Sequence, residues 1–73
     1  MDQKEDVLRK FGRQLAALRA QKQLSVRELA MAAGLEPARV MKIEAGKVNL
    51  LFTTILALAR ALEVSPDELL SSL

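Results

Sequence analysis

Residues 25–46, SVRELAMAAGLEPARVMKIEAG, restrict this chain more than any other stretch. They read as two short helices joined by a tight turn. A small or apolar residue stands wherever two such helices must touch. Ser25 and Glu28 have the spacing of a capping box, in which the hydroxyl accepts from the N3 amide and the carboxylate reaches back to the cap. Ala30 lets the helices approach closely. Gly34, four residues on, takes a left-handed turn without a Cβ penalty. Pro37 suits a first helical turn, where its missing N–H costs nothing. Val40 and Ile43, three apart, turn the inner face of the second helix to a core, and Gly46 ends it.

The rest of the chain reads as helix too. Leu8, Phe11, Leu15 and Leu18 share one face of a helix over about 4–21. Phe52, Ile55, Leu58, Ala59 and Leu62 form the apolar stripe of a fourth helix over about 51–62. A second capping box, Ser65 to Glu68, opens a short last helix through Leu69 and Leu70. The expected core is Leu8, Phe11, Leu15, Leu18, Leu29, Val40, Ile43, Phe52, Ile55, Leu58, Leu62 and Leu69. The first three and last two or three residues are expected to fray. The fold class is all-α, a five-helix domain, and 73 residues allow one domain over 1–73.

Composition removes several functions. The chain has no cysteine and no histidine, against disulfides and the usual zinc sites. It has no glycine-rich phosphate loop, and its few carboxylates are mostly explained as caps or clamps. No catalytic residue, metal, cofactor or small-molecule ligand is therefore expected. No apolar run approaches the roughly 20 residues that span a bilayer. The acidic start, MDQKED, is unlike a signal peptide, which points to a cytoplasmic protein.

The net charge of +2 hides a polarity. Residues 9–47 carry nine bases against three acids, a local sum of +6, whereas 1–8 and 48–73 each sum to −2. Such a distribution suits one face turned toward a polyanion. On charge alone, a solvated surface with uneven charge fits as well.

From about 11 to 70 the chain resembles the lambda-repressor/Cro type of helix-turn-helix domain, the xenobiotic-response-element family. The residues that carry the resemblance are Leu15, Leu18 and Arg19; Ser25 and Glu28-Leu29-Ala30; Gly34-Leu35; Val40, Ile43-Glu44 and Gly46-Lys47. Ala59, Leu62, Val64-Ser65 and Glu68-Leu69 complete it. The helix-turn-helix is 25–46. The resemblance implies a five-helix domain that binds operator DNA as a dimer, its third helix entering the major groove. The size is similar to that of restriction-modification controller proteins. The chain departs from the family pattern at Gln23, where glycine is frequent, at Val26, at Pro37-Ala38 and at Leu50-Leu51.

Arg39 and Lys42 share a face of the third helix, expected opposite Val40 and Ile43. A long cation there reaches guanine O6 and N7, or a phosphate. Ala38 either meets a thymine methyl or simply favours helix. Arg27 and Lys47 are phosphate-contact candidates, as are the amides at the start of the second helix, and Asn49 resembles a phosphate-contacting position of the family. Glu36 is read as an N-cap that suits the helix dipole. In the family, an arginine such as Arg19 pairs with the glutamate at Glu44 and clamps the third helix to the first. Arg19 is also a phosphate candidate. Leu50, Leu51, Leu56, Leu70 and Leu73 exceed what a small core needs and are candidates for a homodimer surface. The leading function is a sequence-specific, DNA-binding transcriptional regulator, a repressor or small controller. The alternative is a protein-interaction module, such as an antitoxin-like partner-binding protein.

Overall fold

The computed structural model describes residues 3–73. Five helices follow in order: α1 (Gln3–Gln21), α2 (Val26–Ala33), α3 (Pro37–Glu44), α4 (Phe52–Leu62) and α5 (Pro66–Leu69). No strand occurs among the described residues. α2 packs on α3 and α4, while α1 packs on α3 and α5, so α3 is held from both sides by its inner face.

Local chemistry fixes the boundaries. Ser25 and Glu28 form the complete capping box, with Glu28 N donating to Ser25 Oγ at 3.0 Å and Ser25 N donating to Glu28 Oε1 at 2.8 Å. The second box is only half formed. Glu68 N donates to Ser65 Oγ at 3.2 Å, without the return bond that marks the first box. α1, α2, α3 and α4 all close with the same pair of backbone bonds around a left-handed residue. Gly34 and Gly46, both at φ 72°, fill that position after α2 and α3. Gln23 and Glu63, both at φ 59°, fill it after α1 and α4, where a side chain makes the conformation costly.

The core gathers Phe11, Leu15, Leu18, Leu29, Ala30, Val40, Ile43, Leu58, Ala59, Leu62 and Leu69. Phe52, expected inside, is exposed. Each step of three residues turns a helix through about 300°, so Phe52, Ile55 and Leu58 walk around α4 rather than stack. The buried row is instead Thr54, Leu58 and Leu62, with Ala59 beside it. Ile55 packs at the core's edge and Leu8 is half-buried. Leu50 and Leu70, expected on the surface, pack partly against the core.

The expected fraying at residues 1 and 2 lies outside the described residues. At the other end the chain is tied down. Gln14 Nε2 donates to Glu68 O at 3.0 Å and to Ser71 Oγ at 3.2 Å, and Ser72 Oγ donates to Lys10 O at 3.3 Å.

Candidate nucleic-acid interface

α3 is seated before it is presented. Val40 and Ile43 are buried on its inner face. Gly12 of α1 lies directly against its C-terminal turn. A Cβ at Gly12 would sit 2.6 Å from Ile43 O and collide with Glu44 O. Only glycine allows that approach. Gly46 meets α1 in the same way, since a Cβ there would lie 2.8 Å from Arg9 Cα.

An ion pair completes the seat. Arg19 Nε donates to Glu44 Oε2 at 2.6 Å and Nη2 donates to Glu44 Oε1 at 3.1 Å, a two-pronged geometry. Nη1 donates to Leu24 O at 2.9 Å, binding the α1–α2 connection to the same group. The side chains are 21% and 13% exposed. The hydrogen bond to Glu44 raises the Arg19 pKa, burial opposes it, and the charge of Glu44 adds to the rise.

The outer face of α3 and its C-cap carries Ala38, Met41, Lys42 and Ala45, all exposed. At about 100° per residue these fall on one stripe away from Val40 and Ile43. Arg39 is half-buried on the flank beside Lys42, off the centre of that stripe. Glu36 occupies the N-cap, and its side chain makes no capping hydrogen bond.

The other cations frame this helix. Arg27 is exposed on α2, where it lines a cleft of about 290 Å³ with Met31, Leu35 and Pro37. Lys47 and Asn49 follow α3. They line a groove of about 530 Å³ whose opposite wall is α1, with Lys4, Glu5, Leu8 and Arg9, and whose floor includes Ala45 and Gly46. At the start of α2, the carboxylate of Glu28 supplies the anion that a helix N-terminus favours. That places an acid beside Arg27.

Sequence reasoning missed three residues here. Gly12 gave no signal, because a mid-helix glycine looks merely permissive until a carbonyl is found against it. Arg9 was counted only as charge, yet it shares a groove with Lys47 and Asn49. Met41 was passed over for its charged neighbour. Its spacing from Ala38 and Ala45 was the available signal.

A five-helix body that presents one short helix outward between cationic shoulders defines the helix-turn-helix class of DNA-binding domain. The chain belongs to the helix-turn-helix domain family, whose model matches residues 10–71. The restriction-modification controller protein C.AhdI from Aeromonas hydrophila is similar at 44% identity and a TM-score of 0.84, over 85% of this chain and 94% of that one. The clp gene regulator ClgR from C. glutamicum matches at 26% identity and a TM-score of 0.86, over 90% of this chain and 86% of that one. The hypothetical transcription factor NHTF from Neisseria matches at 27% identity and a TM-score of 0.85, over 96% of this chain and 80% of that one. No curated protein sequence matches the chain. The protein is a DNA-binding transcription regulator of lambda-repressor/Cro-like architecture. No helix among the described residues is long and apolar enough to cross a membrane.

Proposed function

We propose that the protein binds operator DNA as a homodimer in the cytoplasm, as a repressor or small controller without catalytic activity. The observation that carries this reading is α3 itself, anchored by Gly12 and Arg19 on one side and open on the other. Lys42 and Ala38 meet base edges, with Arg39 at the groove's margin. Arg27, Lys47 and Asn49 contact phosphates, and Arg19 acts chiefly through Glu44.

The dimer surface is best drawn around Leu51 and Phe52, 67% and 68% exposed, with half-buried Leu56 on the same helix. Leu73 is also exposed. Leu50 and Leu70 offer less to such a surface, because they pack partly against the core. The same exposed pair favours a second reading, a module that docks a different protein there.

Salt titration separates the readings. A dimer that neutralises six or more phosphates should lose roughly a thousandfold in affinity between ~50 and ~200 mM salt. The measurement is fluorescence anisotropy on a duplex selected from a random pool. Absence of binding even at the lowest salt contradicts the DNA reading and favours the protein-docking one.

A further inference from the structure

We infer that the protein reads A·T pairs in its operator through thymine methyl groups, with Met41 as a specificity-determining residue. The inference rests on α3 being the groove helix and adds how that helix reads bases.

α3 lacks the side chains that read adenine. Residues 36–47 contain no asparagine and no glutamine, the side chains that grip adenine N6 and N7 together. Glu44 is committed to Arg19. Glu36 lies at the N-cap, off the outer stripe, and its negative charge is repelled by phosphates. The stripe itself therefore has a single polar group, the Lys42 ammonium. An ammonium only donates, so it suits guanine O6 and N7 and does not take the adenine N6 proton.

What the stripe does have is apolar. Met41 is 61% exposed, with exposed Ala38 one turn before it and exposed Ala45 one turn after. Single exposed apolar residues are common and carry little meaning. This one stands between two short side chains on the face that enters DNA, so it projects beyond both of them toward the base edges. Its unbranched thioether is flexible enough to settle against a methyl group. In the major groove the thymine C5-methyl is the one apolar feature among the four bases, and it separates T from C.

The test uses the full chain and duplexes selected from a random pool, in which deoxyuridine replaces each half-site thymidine in turn. Deoxyuridine keeps every hydrogen-bonding group and removes one methyl. The expected result is about a fourfold weaker complex at one or more positions, the value of one buried methyl. Met41→Ala should abolish the penalty at one of those positions while leaving the deoxyguanosine preference intact. Because Met41 is exposed, its truncation leaves the core untouched. Indifference to deoxyuridine at every position, with Lys42→Ala still changing base preference, overturns methyl reading but keeps α3 in the groove. A deoxyuridine penalty that persists unchanged in Met41→Ala at all positions overturns the assignment to Met41. If Lys42→Ala and Met41→Ala both leave base preference unaltered, the placement of α3 itself has failed.

Discussion

Gly12→Ala is expected to lower the melting temperature by roughly 10 °C. Helix propensity alone gives the opposite sign. Alanine is better than glycine in a helix interior by about 0.5–1 kcal/mol. Against that gain stands the new methyl group, 2.6 Å from Ile43 O and closer still to Glu44 O. Backbone carbonyls cannot rotate aside as a side-chain tip can, so α1 and α3 must separate. Overpacking of this kind typically costs about 1–3 kcal/mol, occasionally more. Here it also pulls Glu44 from Arg19, which carries the sum well past the propensity gain. The DNA complex should weaken with it, because the separation displaces α3. Circular dichroism melts of the two proteins decide the sign, and an unchanged or raised melting temperature would mean that α1 and α3 are not in contact at Gly12.

Glu44→Ala should lower stability and DNA affinity together. The carboxylate takes two bonds from Arg19 in a setting where each side chain is less than a quarter exposed. Its removal leaves a guanidinium facing an emptied site, at a cost of about 1–3 kcal/mol for a partly buried charged pair. Arg19→Ala should cost a similar amount, and the double variant little more than either, since the two act as one unit. Arg19 adds no pH dependence in the working range. Its pKa is raised on folding, so its contribution is complete below the unfolded value and lost only above the folded one, in strong alkali. Chemical denaturation and operator titration on the same samples provide the check. Unchanged stability and binding would mean that Arg19 and Glu44 do not clamp α3.

Both variants touch contacts that differ in how visible they are in the chain. The helix-turn-helix was legible because its parts are local. Ser25, Glu28, Gly34 and Pro37 each act within one turn of themselves, so spacing is enough. The inward row of α1 at Phe11, Leu15 and Leu18 was legible for the same reason. Phe52 was misplaced because an i, i+3 spacing does not distinguish the centre of a helix face from its rim, and the first turn of α4 lies at the rim. The partial burial of Leu50 and Leu70 was not legible, because burial of residues beside a helix end depends on what crosses above them. The left-handed Glu63 went unseen because that position is ordinarily marked by glycine or asparagine. On α3, charge drew attention to Arg39, whereas burial places Arg39 on the flank and leaves Met41 outward.

In the proposed complex, α3 lies in the major groove with Lys42 toward the bases and Lys47 toward a phosphate. Both residues are exposed, and they differ in place: Lys42 is on the outer stripe, Lys47 beyond the helix end. Competition titrations of Lys42→Ala and Lys47→Ala against a panel of single-base operator variants test it most directly. Lys42→Ala should relax preference at one or two positions by about 1–3 kcal/mol at the preferred base. Lys47→Ala should weaken every duplex about equally and reduce the salt slope by about one unit. The reverse pattern, with Lys47→Ala altering base preference and Lys42→Ala leaving it intact, would contradict the placement of α3 in the groove.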